Sequence, residues 1–332
     1  MFKLTDNLLS STLFLAACVS GFSLSATHAA ASNLSNELIV VDANPAAGFE
    51  FPYILRLPKS KADIAKHYLI VETNNSGLSD HLITHVEKTK SEALGQGPGP
   101  MVASDLNMPF LIPVFLRSET DYLVYTHALD RDTMLIKKGL SKRLDLQLLK
   151  MVEDARLRLR AGEIEVQEKF VMVGFSASGT FSNRFAFLHP SSLLAVVSGA
   201  VNAMPMLPVS EVSGTALEYP LGLNDFAQIN GKEFELSNWL SLAQMIYMGA
   251  VDDNDAVKFS DAYSEGERAK VFSAIGEEMG ERWLKSQSVY LAKKPNVTFV
   301  TYGQIGHWTN GRIRRDMANF IRSAIDKDIR EN

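Results

Sequence analysis

The chain has 332 residues, of which 46% are hydrophobic and 21% charged, with 33 Lys and Arg against 38 Asp and Glu. This is the composition of a folded globule; it excludes a disordered chain, a collagen and a multispanning membrane protein. The formal charge of -5 also argues against a nucleic-acid binder, because no cationic excess is available to neutralise phosphates.

The first thirty residues read as a secretory signal peptide: Lys3, an apolar stretch from Leu8 to Ala17, then the small residues Ala29, Ala30 and Ala31. Removing residues 1–30 takes away one Lys and one Asp, so the mature charge is unchanged. Cys18, the single cysteine, sits in Leu15-Ala16-Ala17-Cys18, which looks like a bacterial lipobox. It is either lipidated or lost with the leader, and in both cases the mature chain carries no disulfide. One cysteine also excludes CxxC redox motifs and thiolate zinc sites. The expected location is therefore periplasmic or secreted, with membrane contact only through a lipid on Cys18.

Beyond the leader the chain alternates strand-like and helix-like patterns. Strands are expected over 37–42 and 51–57, joined by the turn Asn44-Pro45-Ala46-Ala47-Gly48, and over 67–72 and 110–116. A helix is expected over 141–159, where Leu144, Leu148, Met151, Ala155 and Leu159 share one face. A continuous apolar strand over 169–175 runs into a helix over 177–188. Strands follow over 193–198, 244–249 and 297–302, with helices over 265–284 and 312–326. Apolar strands alternating with amphipathic helices imply an α/β fold, a mostly parallel sheet covered on both faces. Ligands of such sheets bind beyond the carboxyl ends of the strands. Residues 76–109 and 200–240 break the alternation; the first reads as a loop around Gly95-Gln96-Gly97-Pro98-Gly99-Pro100, the second as a candidate cap over the site.

The segment Gly174-Phe175-Ser176-Ala177-Ser178-Gly179, between an apolar strand and a helix, resembles the nucleophile elbow G-x-S-x-G of α/β-hydrolases. The serine of an elbow sits on a strained turn, so its neighbours two residues away must be small. Gly174 meets that need, and Ser178 stands where the pattern has Gly, which leaves it a minor rival nucleophile. A serine hydroxyl needs a base. The fold's chain order of Ser, acid, His leaves His189 and His307 after Ser176. His189 lies thirteen residues along the elbow helix, roughly 20 Å away at 1.5 Å per residue. His307, in Gly306-His307 beyond the last strand, is the candidate base. The acid is sought after the strand ending at Gly249, where Asp252 is favoured over Asp255 and Asp253 for the orienting role toward His307.

What the resemblance implies for the oxyanion hole is one N–H from Ala177 and one from the loop Thr73-Asn74-Asn75-Ser76-Gly77, from Asn75 or its neighbour Asn74. His81 and His85 have the i, i+4 spacing of zinc ligands but no third ligand follows, and His127 beside Asp130, Arg131 and Asp132 reads as a loop ion-pair network. Neither a metal nor a cofactor is expected. Met204, Met206 and Leu207 read as core packing rather than the lining of an acyl pocket.

The resemblance to the α/β-hydrolase superfamily spans about residues 37–328, with a narrower likeness to secreted polyhydroxybutyrate depolymerases and feruloyl esterases. It implies an exported serine hydrolase that cleaves a small or polymeric carboxylic ester through an acyl-enzyme. A serine peptidase of the same fold and a non-catalytic binding protein that keeps the fold are the alternatives.

Overall fold

The computed structural model describes residues 38–60 and 67–331; the expected leader and Cys18 lie outside them. Strands β1 (Leu38–Val41) and β2 (Tyr53–Arg56) pair antiparallel around a turn in which the Asn44 side chain accepts the Ala47 N–H. After β3 (Ile70–Val71) come helices α1 (Leu82–Leu94) and α2 (Pro98–Asp105), then β4 (Phe110–Pro113). Helices α3 (Arg131–Leu135) and α4 (Leu144–Ala161) lead to β5 (Phe170–Phe175), α5 (Ala177–Leu188) and β6 (Leu193–Gly199). A small hairpin, β7 (Glu211–Val212) with β8 (Thr215–Ala216), and helices α6 (Phe226–Asn230) and α7 (Leu236–Ser241) precede β9 (Ala243–Gly249). Helices α8 (Glu265–Ala274) and α9 (Met279–Ala292), strand β10 (Val297–Tyr302) and helix α10 (Gly311–Glu331) complete the chain.

The sheet order is β1-β2-β4-β3-β5-β6-β9-β10. From β4 to β10 every neighbouring pair is parallel, and β1 and β2 add an antiparallel edge. Side-chain alternation along β5 builds two cores. Phe170 and Met172 pack with Leu148 and Leu159 of α4 and with Phe181 and Phe185 of α5. Val171 and Val173 pack on the other face with Val102 of α2 and with Ile313 and Ile321 of α10. This double burial is why β5 reads as a continuous apolar run rather than an alternating one.

Two expectations need correction. Residues 76–109 are not a plain loop, because they hold α1 and α2. Pro98 and Pro100 lie in the first turn of α2, where a backbone N–H would have no intrahelical acceptor, so proline costs nothing there. The helix expected over 265–284 is two helices, with the chain turning through Gly276 between them. Residues 200–240 pack beside α5. The Met206 N–H donates to Asn183 Oδ1 at 2.8 Å, and Phe187 meets the rings of Phe234 and Trp239 at 5.5 and 5.0 Å. Met204, Met206 and Leu207 are buried in that core.

Register sets where loops leave the sheet. Phe175 stands opposite Gly199, Gly199 opposite Tyr247, and Gly249 opposite Tyr302. Helix α5 crosses the end of β6 so closely that a Cβ on Gly179 would lie 2.2 Å from the Gly199 carbonyl oxygen. Gly179→Ala is therefore expected to lower stability by about 1–3 kcal/mol through overpacking. Urea denaturation reads this as a lower midpoint at unchanged slope, and an unchanged midpoint would contradict the close approach.

Candidate active site

Strand β5 hands the chain to α5 through one residue, Ser176, at φ 59° and ψ -121°. A non-glycine residue in such a conformation costs about 1–3 kcal/mol and persists only where its surroundings enforce it. Here they do. The Ser176 N–H donates to Gly199 O at 3.0 Å, and a Cβ on Gly174 would lie 2.2 Å from the Ser178 carbonyl oxygen. Ser176 is half-buried and lines a cavity of about 110 Å³ with Ala177, Thr180, Asn202 and Asn254. Ala177 is the first residue of α5, so its N–H has no intrahelical acceptor and lies at the positive end of the helix dipole.

Strands β9 and β10 bring two other expected residues together. The His307 Nδ1 lies 3.1 and 3.0 Å from the two carboxylate oxygens of Asp252, whose side chain is buried. With a carboxylate on that side the proton sits on Nδ1, leaving the Nε2 lone pair as the basic site. That lone pair accepts a hydrogen bond from Asn254 Nδ2 at 2.9 Å. The imidazole rests against the Phe175 ring, centroids 4.8 Å apart. No hydrogen bond joins Ser176 to His307 among the described residues; Asn254, which lines the serine's cavity, holds the position the hydroxyl would need. The rival acids are differently engaged. Asp253 is exposed. Asp255 caps the short turn Ala256–Lys258 and pairs with the buried Arg282.

The loop after β3 is only partly as expected. Asn74 is fully buried, and its side chain clamps Phe115, accepting from the backbone N–H at 3.0 Å and donating to the carbonyl at 2.9 Å. The Asn75 N–H points at a carboxylate, Glu92 Oε2, at 3.2 Å. Asn75 lines a second cavity, of about 420 Å³, together with Phe175 and Ser178, whereas Ala177 lines the smaller cavity of Ser176.

Ser178 is buried. Its hydroxyl oxygen accepts from the Phe175 N–H at 2.9 Å and lies 2.9 Å from the Phe175 carbonyl and 3.0 Å from Glu72 Oε1. These bonds account for serine in place of the pattern's glycine. Glu72, which sequence reasoning passed over, also accepts from the Gly99 N–H at 2.8 Å. Burial pushes its carboxyl up to about 8, against the opposing hydrogen bonds from Gly99 and Ser178. A neutral Glu72 can donate to Ser178 while Ser178 donates to Phe175, which satisfies every group beneath the elbow. The available signal was a carboxylate ending an otherwise apolar strand.

Three other histidines, His85, His127 and His189, are buried and hydrogen-bonded within the scaffold. His85 is buried between Ser76 Oγ at 2.7 Å and Ser79 O at 3.0 Å, and His81 is exposed at the head of α1. His127 is not in an ion-pair network: burial holds its imidazole down to about 3, and Nε2 donates to Phe115 O at 2.9 Å. His189 Nε2 meets the buried Asp145 at 2.8 Å.

No family model matches the chain, and no curated protein matches it. Solved structures do. A poly(aspartic acid) hydrolase-1 from Sphingomonas sp. KT-1 superposes with a TM-score of 0.55 at 14% identity, over 86% of this chain and 97% of that one. A poly(3-hydroxybutyrate) depolymerase from Bordetella parapertussis gives 0.52 at 16%, over 86% and 88%. An S-formylglutathione hydrolase from Agrobacterium tumefaciens gives 0.50 at 12%, over 87% and 94%. The chain has the α/β-hydrolase fold.

Two outcomes follow from these contacts. Asp255→Ala strands the buried Arg282 guanidinium and is expected to cost about 3 kcal/mol or more in denaturant unfolding; a change within experimental error would contradict the pairing. Glu72 keeps its proton when folded to about pH 8, whereas unfolded it loses it in the ordinary carboxylate range. The folded state therefore loses stability as pH rises between those values, and the loss is complete above the upper one. Glu72→Gln has no proton to lose and is expected to flatten this fall between about pH 5 and pH 9, read from denaturation midpoints. An unaltered pH profile would contradict a proton on Glu72.

Proposed function

We propose that the protein is an exported serine hydrolase of carboxylic esters, with Ser176 as nucleophile, His307 as general base and Asp252 as the acid that orients it. The observation that carries this reading is the Asp252–His307 hydrogen bond beside a serine held on a strained strand-to-helix turn. The hydrolase and depolymerase names of the similar structures support it. So does the N-terminal leader read from residues 1–30. No helix among the described residues is long and apolar enough to cross a membrane.

The chemistry runs in two steps. An ester carbonyl enters the cavity of Ser176, and the Asn254 amide yields Nε2 of His307 to the serine hydroxyl. Ser176 Oγ attacks the carbonyl carbon as His307 takes its proton, and Asp252 stabilises the imidazolium. The oxyanion takes the Ala177 N–H and, once Glu92 releases it, the Asn75 N–H. Collapse expels the alcohol, which receives the proton from His307. Water, activated by the same imidazole, then attacks the acyl-enzyme and releases the acid.

The test is turnover of p-nitrophenyl acyl esters of rising chain length by the mature protein and by Ser176→Ala. The expected result is a loss of about 10³-fold or more in kcat for the variant, with the fold retained. Undiminished turnover by Ser176→Ala would overturn the assignment.

A further inference from the structure

The loop after β3 alternates between inward and outward residues. Asn74, Ser76 and Ser79 are buried, whereas Asn75 and Leu78 are exposed. Each buried residue is caught by the scaffold. Asn74 clamps the Phe115 peptide, and the Ser79 N–H donates to the Arg117 carbonyl at 2.9 Å. Ser76 is caught by a histidine. His85, in the first turn of α1 and fully buried, places Nδ1 2.7 Å from Ser76 Oγ and Nε2 3.0 Å from the Ser79 carbonyl oxygen. One imidazole therefore braces two points of the loop across Gly77, where the backbone turns at φ 75°. Lys88 adds a bond from the outer side, Nζ to the Ser76 carbonyl at 2.9 Å.

The direction of each bond in this brace follows from the groups that make it. A carbonyl oxygen only accepts, so the His85 Nε2 carries a proton and donates to Ser79. With one proton on the ring, Nδ1 accepts, and the Ser76 hydroxyl donates to it. The Ser76 oxygen keeps lone pairs free, and Asn74 Nδ2 donates to it at 2.8 Å. The other Asn74 amide proton goes to the Phe115 carbonyl. Asn74, Ser76, His85 and Ser79 thus form a chain with a donor and an acceptor at every link. A buried polar network satisfied in this way is rigid and holds one geometry. The His127 ring stands edge-on behind His85, centroids 5.7 Å apart.

Asn75 lies between the pinned residues. Its backbone N–H is offered to a carboxylate oxygen, Glu92 Oε2, at 3.2 Å. We infer, resting on the serine-hydrolase reading, that His85 is a positioning residue of the reaction: through Ser76 and Ser79 it holds the Asn75 N–H in the direction from which an ester oxyanion takes it over from Glu92. His85 is fully buried, so it acts through the loop and not on the reacting atoms. A donor to an oxyanion is effective because it is fixed before the reaction begins, and a misplacement of about 1 Å costs on the order of 10²-fold. A loop that turns through glycine has little stiffness of its own to supply that precision. The imidazole supplies it from a helix, the more rigid element. The second histidine of the His81, His85 pair, which has the spacing of zinc ligands, is in this way committed to the loop.

The experiment compares the mature protein with three variants. His85→Phe fills the space of the ring and makes neither bond. His85→Gln keeps a donor and an acceptor on its amide. Ser76→Ala cuts the chain in the middle, and it carries the test if His85→Phe does not fold. Two readings are taken and referred to the folded fraction: kcat and KM for p-nitrophenyl butyrate, and the affinity for butylboronic acid. In the boronate adduct a bond forms between Ser176 Oγ and boron, the serine proton passes to His307, and a hydroxyl of the tetrahedral boron anion takes the oxyanion position. The expected result for His85→Phe and Ser76→Ala is a fall in kcat of about tenfold or more, with KM within about twofold and boronate affinity falling in step with kcat. His85→Gln is expected to recover part of both losses. A loss confined to KM, or a loss of stability with kcat and boronate affinity intact in the folded fraction, overturns the proposal. A wild-type protein that hydrolyses the ester and binds the boronate no better than His85→Phe and Ser76→Ala keeps the serine hydrolase and overturns the role of His85. A folded wild-type protein that does neither overturns the serine-hydrolase reading, and the role of His85 with it.

Discussion

Strand β5 must become helix α5 within a single residue, and the strained backbone of Ser176 is the result. That turn closes only because two chains of backbone approach it without side chains in the way, at Gly174 and at Gly179. The same crowding dictates what surrounds it. Ser178 folds inward onto the Phe175 peptide, and a carboxyl, Glu72, fills the space behind it. The strain puts Ser176 at the rim of a cavity and at the head of a helix dipole, two conditions that suit the nucleophile role proposed for it.

The proposed base comes from a different part of the sheet, and in this structure Asn254 stands between it and the serine. Parallel pairing of β9 with β10 levels Gly249 with Tyr302, so the loops beyond them can put Asp252 against His307. The imidazole then has one nitrogen fixed and one exposed to competition, and Asn254 occupies the second. In this resting arrangement both reactive elements are satisfied by the scaffold, His307 by Asn254 and the Asn75 N–H by Glu92. Under the proposed mechanism a substrate displaces both. Two carboxylic acids serve opposite ends of this arrangement: Asp252 bonds the imidazole, and Glu72 is held neutral by burial beneath the elbow.

Much of this was readable before any coordinates. Five of the six parallel strands are apolar runs because they are covered on both faces, and that double burial leaves a trace in composition; the sixth, β10, is a half-buried edge. The elbow was legible because its small residues are enforced by backbone contact. The sequence favoured Asp252 over Asp255 and Asp253 by position alone; in space the rival Asp255 is claimed by the buried Arg282. Helix α2 was missed because Gly and Pro punctuate loops and helix first turns alike, and the sequence does not distinguish the two; α1, which holds neither residue, was passed over with the segment as a whole. Glu72, Glu92 and Asn254 were missed for another reason. Polar residues read as solvated by default, and their roles depend on burial and on partners up to 106 residues away, as for Ser178 and Glu72.

The central claim is that Ser176, and not its neighbour, is the activated nucleophile. The most direct measurement is to treat the folded mature protein with a fluorophosphonate and locate the adduct by peptide mass spectrometry. A single phosphonyl group on Ser176 is the expected result. An adduct on Ser178, or a folded protein that remains unlabelled, would contradict it.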